Sequence, residues 1–140
     1  MFNDRNQHRI AGGPGDDEME FGVGIHGEPG RRRDKLKTAD ELADEICNAI
    51  VADMGARAKQ TCLLFVNGFG GTPSMELYVM YHAARKVFEK HGVTIARSLV
   101  GSLVTSLDMA GCSITLVAMD DEVLKYWDAP VHTAALRWGM

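Results

Sequence analysis

His26 is the side chain in this sequence best suited to covalent or acid–base chemistry. It ends a predicted strand over residues 20–26 and precedes the turn Gly27–Gly30. A side chain at the end of a strand in an α/β fold points towards the region where such folds bind ligands. A neutral imidazole can act there as a base or as a nucleophile. The alternative is a turn histidine whose ring bonds a backbone carbonyl, and the residues alone leave both roles open.

The neighbours of His26 determine what can approach its ring. Gly24 and Gly27 have no side chains, so a small molecule can contact the backbone and the imidazole together. Glu28 stands in the same turn, where its carboxylate either orients the imidazole or points into solvent, and solvent is the favoured of the two. Gly24, Gly27 and Glu28 are therefore candidate substrate-binding or pocket-supporting residues.

Two later segments carry further candidate groups. Thr105, Ser106 and Asp108 are polar residues in an apolar neighbourhood, where they can cap a turn, line a pocket or do both. Capping is the default, but they are also candidate substrate-binding residues. The glycine-rich loop Asn67–Pro73 leads from a predicted strand into a helix, an arrangement that favours an anion. It lacks the Gly-Lys-Ser/Thr ending of a P-loop, and a tight strand-to-helix turn explains it about as well.

Composition and charge limit the classes of partner. The chain has 140 residues, with 15 basic and 19 acidic side chains and a formal net charge of −4. This balance gives no electrostatic reason to bind nucleic acid or an anionic membrane, and no uncharged run approaches the ~20 apolar residues that cross a bilayer. We expect a cytoplasmic protein without a metal site. Cys47, Cys62 and Cys112 are widely spaced in apolar surroundings, which predicts buried thiols.

Alternating strand and helix patterns predict a single α/β domain, with helices packed on a layered sheet that is mixed or mostly parallel. Residues 1–18 are polar and rich in turn residues, so we expect a flexible lead-in before a domain over residues 19–140. Strands are predicted at residues 20–26, 61–67, 94–100 and 112–119, and a short helix at 121–127. The pattern gives no assignment for residues 101–111.

Two longer helices are predicted from their first residues. Thr38 and Glu41 have the spacing of a capping box, which predicts a helix beginning after Thr38. Thr72 is a candidate N-cap for the second helix, with Pro73 in the first helical position. The apolar stripe predicted for that second helix consists of Leu77, Tyr78, Tyr81, Ala84, Val87 and Phe88.

Four motifs in this order resemble the C-terminal half of the dihydroxyacetone-binding subunit of dihydroxyacetone (glycerone) kinases. They lie at residues 21–30, 66–73, 105–111 and 127–133, and the similarity runs from about Asp16 to the end of the chain. In that family the histidine of the Gly-Ile-His-Gly-Glu-Pro-Gly motif attacks the ketone carbon of dihydroxyacetone and holds it as a hemiaminal. By this resemblance, His26 is the residue of covalent substrate attachment.

The implied chemistry selects substrates by functional group. A neutral imidazole nitrogen adds to a carbonyl but not to an alcohol, so short ketones and aldehydes are admitted and glycerol is rejected. The resemblance implies that a separate phosphoryl-donor subunit then forms dihydroxyacetone phosphate. It implies that this chain holds no cofactor, and that ADP or ATP with magnesium is bound by a partner subunit or domain. The phosphotransferase-system type of kinase is favoured, since no nucleotide-binding domain follows the last motif.

The resemblance also implies partners. Family members carry an upstream domain with the aspartate and second histidine that assist proton transfer, and this sequence contains no counterpart. We therefore expect the upstream half of the subunit as a partner, negligible turnover by this chain alone and, as in the family, a homodimer. No catalytic base is assigned. The alternatives are a non-catalytic carbonyl-binding or regulatory module and an inert truncated fragment.

Overall fold

A computed structural model describes residues 17–23, 30–107 and 109–139, together with the backbone of residues 2–4. Eight strands and three α-helices follow one another along this part of the chain, with a short 3₁₀ helix at Gly55–Lys59. In order, they are β1 (Phe2–Asp4), β2 (Glu18–Phe21), β3 (Arg32–Lys35), α1 (Ala39–Met54), β4 (Thr61–Gly68), α2 (Ser74–Lys90), β5 (Thr94–Gly101), β6 (Ala110–Ala118), α3 (Asp121–Asp128), β7 (Val131–His132) and β8 (Arg137–Trp138).

Six of the strands form one mixed sheet in the order β3-β2-β1-β6-β4-β5. β4 and β5 are parallel, and the other neighbouring strands pair antiparallel. The predicted α/β domain is confirmed, with the sheet in its mixed form. A mostly parallel sheet does not form, because β5 returns to β6 through a loop rather than through a crossover helix. β7 and β8 make a separate antiparallel pair.

The core lies between the sheet and the two long helices. Cys62, Leu64 and Val66 alternate along β4 and pack into this core, which also takes in the buried faces of α1 and α2. Leu63 is buried as well, at 4% exposure, so β4 is covered on both faces as its continuous apolar run predicts.

The predicted burial of the three cysteines is confirmed. Cys47 and Cys62 are 0% exposed and Cys112 is 1% exposed. Burial raises the pKa of the Cys47 and Cys112 thiols to about 12, which keeps them protonated at neutral pH. All three are free thiols, and their role in the described fold is that of small apolar side chains.

The capping box of α1 is confirmed, whereas the start of α2 differs from its prediction. Thr38 Oγ1 accepts from the Glu41 backbone N–H, and the Glu41 carboxylate accepts from the Thr38 N–H in return. α2 begins at Ser74, with Pro73 as a cap residue that makes no side-chain cap bond. The prediction of Thr72 as N-cap is wrong because its hydroxyl is committed to the backbone of Gly111.

The buried face of α2 also differs from the predicted stripe. Tyr78 is 59% exposed, and Met80 and Ala83 are buried on the core face instead. Residues 77, 80, 84 and 87 follow the three- and four-residue steps of one helical face, and Tyr78 lies outside that series. The predicted stripe is therefore wrong in including Tyr78 and in omitting Met80 and Ala83.

Several short strands differ from the predicted elements. β2 is formed by Glu18–Phe21 and ends before the predicted strand over residues 20–26 does. β3 lies inside the basic run, where no strand was predicted, and β7 and β8 were also missed. β1, at Phe2–Asp4, lies within the residues expected to form the lead-in and pairs with both β2 and β6. Strands of two to four residues are too short to show a hydrophobic period, and β3 is wholly charged, so pattern alone does not find them.

Candidate functional site

The segment that carries His26 connects two paired strands. Phe21 at the end of β2 pairs with Arg32 at the start of β3, and the Arg31 N–H donates to the Phe21 carbonyl at 2.7 Å. The segment therefore leaves and re-enters the sheet at neighbouring positions. The candidate residues Gly24, His26, Gly27 and Glu28 lie at positions 24–29, outside the described residues. We call the connection from Gly22 to Gly30 the histidine turn.

Ion pairs join the β3 side of the histidine turn to helix α1. The Arg32 guanidinium lies 4.7 Å from the centre of the Phe21 ring and pairs with Asp34 and Glu45. Lys37 Nζ lies 2.7 Å from Asp34 and 3.1 Å from Glu45. Hydrogen bonds from Lys37 and Arg32 lower the pKa of Asp34, and those from Arg32 and Lys37 lower the pKa of Glu45. Both carboxylates are therefore charged at neutral pH and oppose the two cations.

A buried asparagine closes the glycine-rich loop against the β5–β6 loop, which comprises residues 102–109. Asn67 is 3% exposed, although it stands among the apolar residues of β4. Its Oδ1 accepts from the Leu103 N–H at 3.0 Å and from the Val104 N–H at 2.8 Å, while its Nδ2 donates to the Val104 carbonyl at 2.8 Å. The Asn67 side chain thus fixes the backbone of the β5–β6 loop at Leu103 and Val104.

Ser106 makes a second connection between the same two loops. Its backbone N–H donates to the Phe69 carbonyl at 3.0 Å, and its Oγ accepts from the Met109 N–H at 3.3 Å. At Gly70, with φ of +114°, a Cβ would lie 2.9 Å from the Ser106 carbonyl oxygen. Only glycine combines this backbone conformation with so close an approach.

Thr72 fastens the other side of the glycine-rich loop to the first residues of β6. Its Oγ1 accepts from the Gly111 N–H at 2.7 Å and donates to the Gly111 carbonyl at 3.1 Å. Thr105 is exposed, and Asp108 is outside the described residues. Of the three polar candidates in the β5–β6 loop, Ser106 is the one whose described side chain bonds backbone groups. This is the turn-capping role that the sequence predicts as the default.

A groove of about 470 Å³ opens beside the glycine-rich loop, between the first turns of α1 and α2 and the start of β6. Its lining is mostly apolar and consists of Leu36, Lys37, Ala39, Leu42, Gly71, Thr72, Pro73, Glu76, Leu77, Val79, Met80, Ala110, Gly111 and Cys112. The groove therefore belongs to the glycine-rich side of the domain, and its volume is in the range of small-molecule sites.

The described residues place Ser106 and the glycine-rich loop on one part of the sheet and the strands that flank the histidine turn on another. The Ser106 backbone N–H bonds the Phe69 carbonyl of the glycine-rich loop, at the end of β4. β2, which leads into the histidine turn, is separated from β4 by β1 and β6. Asn67 was not predicted as a site residue, although an asparagine ending a buried apolar strand is the signal that would have found it.

Metal-binding clusters and membrane-spanning helices are both absent from the described part of the chain. Within those residues no cluster of three or more His, Cys, Asp or Glu side chains has the arrangement of a metal site. None of the described helices is both long and apolar enough to cross a membrane.

Comparison with known protein families assigns the chain. The Dak1 domain model matches residues 6–135, which is most of the sequence. The chain belongs to the Dak1 domain family. This confirms the resemblance that the four motifs indicate.

Curated relatives of the Dak1 chain are longer proteins. It is 39% identical to the dihydroxyacetone-binding subunit DhaK of a PEP-dependent dihydroxyacetone kinase from Escherichia coli K12, over 89% of this chain and 42% of the relative. It is 41% identical to the DhaK subunit of PTS-dependent dihydroxyacetone kinase 2 from Listeria innocua serovar 6a, over 83% of this chain and 35% of the relative. The chain thus spans about two fifths of the length of these relatives.

A solved structure shares the fold of the Dak1 chain. The dihydroxyacetone kinase operon co-activator DhaQ matches with a TM-score of 0.79 and 34% identity, over 91% of this chain and 41% of the other. The same family therefore includes a protein named for dihydroxyacetone binding and one named for co-activation of an operon.

Proposed function

We propose that this Dak1 chain is the substrate-capturing part of a dihydroxyacetone kinase, with His26 as the residue of covalent attachment. The observation that carries the proposal is the pairing of Phe21 with Arg32 at the two ends of the histidine turn in a Dak1 chain. This pairing holds side by side the two strands that flank the Gly-Ile-His-Gly-Glu-Pro-Gly segment in the sequence. The names of the curated relatives as dihydroxyacetone-binding subunits support the choice of substrate.

The proposed capture step forms one carbon–nitrogen bond. A neutral ring nitrogen of His26 adds to the ketone carbon of dihydroxyacetone, and the electrons of the C=O π bond move to oxygen. That oxygen takes up a proton, and the imidazolium loses the proton on its other nitrogen, so the hemiaminal forms without net change of charge. Glycerol has no carbonyl carbon to accept the nitrogen and is excluded. Capture also restricts the motion of the terminal hydroxyl that is to be phosphorylated.

Phosphorylation requires groups from other polypeptides in this proposal. A separate subunit or domain, which carries ADP or ATP with magnesium, donates the phosphoryl group. The groups that act on the substrate hydroxyl come from the part of the longer relatives that this chain does not span. Phosphoryl transfer depends mainly on positioning and charge stabilisation, so a chain that only holds the substrate has negligible turnover. Two copies of the capturing chain form a dimer.

The capture step can be tested by carbon NMR with dihydroxyacetone labelled at the ketone carbon. We expect the ketone signal to move to the tetrahedral region when the protein is added, and His26→Ala to abolish the change. His82→Ala is the matched control, since His82 is exposed on α2, and it should leave the tetrahedral signal intact. An unchanged ketone signal with the intact protein would show that no hemiaminal forms and would overturn the proposal.

A regulatory, non-catalytic carbonyl-binding module is the second candidate. The co-activator DhaQ supports it, with a TM-score of 0.79 to this chain. Both candidates predict the tetrahedral signal, so turnover distinguishes them. The chain is assayed with a phosphoryl-donor subunit and with the remaining part of a full-length relative supplied in trans. Product formation that requires all three supports the kinase part, and capture without product supports the regulatory module.

A further inference from the structure

A single carboxylate spans the base of the histidine turn. Glu20, the third residue of β2, accepts a hydrogen bond on Oε1 from the Gly30 backbone N–H at 3.0 Å. Gly30 is the last residue of the turn, directly before the arginine whose N–H bonds the Phe21 carbonyl. Two hydrogen bonds therefore close the turn on its β3 side, one from backbone to backbone and one from backbone to Glu20.

The approach of Glu20 to Gly30 explains why a glycine stands at position 30. A Cβ there would lie 2.5 Å from Glu20 Cγ and 2.8 Å from Oε1, so the glutamate side chain occupies the space that any larger residue needs. The two residues are half-buried, which protects the bond partly from water.

We propose that Glu20 is a positioning residue for substrate capture, because its carboxylate holds Gly30, the residue that directly follows the segment carrying His26. This inference rests on the proposed function of His26. Glu20 itself does not react. It holds Gly30 in place before the substrate is bound, so its loss should affect the affinity for a carbonyl compound more than the chemistry of addition.

Two variants of Glu20 distinguish the effect of its hydrogen bond to Gly30 from the effect of its side-chain shape. Glu20→Gln keeps an oxygen that can accept from Gly30, whereas Glu20→Ala removes it. We expect Glu20→Ala to raise the dissociation constant for labelled dihydroxyacetone about tenfold, the effect of losing one hydrogen bond to a charged acceptor, and Glu20→Gln to restore most of it. Glu122→Ala, on exposed α3, is the matched control and should not change the constant.

Hydrogen exchange of the Gly30 amide provides a readout that does not depend on capture. In the intact protein this amide should exchange slowly, and in Glu20→Ala it should exchange faster while amides of the core strand β4 keep their protection. A variant that loses Gly30 protection but binds dihydroxyacetone as tightly as the intact protein would overturn the positioning role. Absence of a tetrahedral signal in the intact protein would instead refute the proposed function, and the Gly30 exchange rates would still report whether the bond exists.

Discussion

The glycine-rich loop and the histidine turn are both rich in glycine, but they are held by different kinds of contact. The glycine-rich loop is joined to its neighbours through the side chains of Asn67 and Thr72 and through Ser106, whose Oγ donates to the Phe69 carbonyl at 3.5 Å. The histidine turn is held at its base by Glu20 and by surface ion pairs through Arg32. A buried asparagine and two less buried hydroxyls hold the first region through backbone groups, and half-exposed charged contacts hold the ends of the second.

This difference indicates how the family motifs divide their tasks. In the glycine-rich loop, the described bonds of the Asn67 and Thr72 side chains go to backbone groups 36 to 39 residues away in sequence, so these side chains stabilise the fold. At the histidine turn the described contacts lie at its two ends, and the proposed capture residue, His26, belongs to the segment between them. A motif shared by a family therefore need not bind substrate, and the first region is expected to control stability while the second controls capture.

Replacing Asn67 by leucine is the change expected to destabilise the domain most. Asn67→Leu leaves the N–H groups of Leu103 and Val104 and the Val104 carbonyl without their side-chain partner. We expect the free energy of unfolding to fall by about 2–4 kcal/mol, measured by urea denaturation. Asn48→Leu, at an exposed position on α1, is the matched control and should cost much less. Equal losses in the two variants would contradict the structural role of Asn67.

Gly70→Ala should give the next largest loss of stability. A Cβ at Gly70 would meet the Ser106 carbonyl at 2.9 Å, and the residue has φ of +114°. We expect the free energy of unfolding to fall by about 2–3 kcal/mol from combined strain and contact. Gly92→Ala separates the two causes, because Gly92 has φ of +73° but nothing within 4 Å of its Cβ position. A loss for Gly70→Ala no greater than for Gly92→Ala would mean that the two loops can move apart.

The parts of the fold with strong local signals could be predicted from the sequence. The capping box at Thr38 and the apolar run of β4 predicted their elements because neighbouring residues determine them. β3 was not predicted, since its residues Arg32–Lys35 are charged and form a strand only by pairing with β2. The cap at Thr72 was predicted wrongly because its hydroxyl bonds Gly111, 39 residues away in sequence.

The candidate site shows the same limit. The motif around His26 identified the family from sequence, and the family assignment confirms that resemblance. The contacts of Glu20 with Gly30 and of Asn67 with Val104 could not be predicted, because each depends on how separate segments meet in the fold. Local sequence therefore predicts His26 as the reactive residue, and tertiary contacts determine what holds the glycine-rich loop and the ends of the histidine turn.

Thr72→Val tests the glycine-rich loop with a nearly isosteric change. The valine keeps the volume but loses both bonds to the Gly111 backbone, so we expect the free energy of unfolding to fall by about 1–2 kcal/mol. The dissociation constant for labelled dihydroxyacetone should stay unchanged in the folded protein. Thr105→Val, at an exposed position in the β5–β6 loop, is the control for stability. Weaker capture by Thr72→Val would contradict the division of tasks between the two regions.

The ion pairs beside the histidine turn should give the smallest effect, seen in acid. The pKa values of Asp34 and Glu45 are lowered in the folded protein by Lys37 and Arg32. Their contribution to stability is therefore complete above the ordinary carboxyl pKa of ~4.3 and is lost as the pH falls through the lowered values. Urea unfolding between neutral and acidic pH should show a shallower loss for Glu45→Gln than for the intact protein, and high salt should reduce the difference because the pairs are exposed. Glu89→Gln, which removes a carboxylate paired with Arg85 on α2, is the control. If it changes the slope as much as Glu45→Gln does, the pairs at the turn have no special part in holding it.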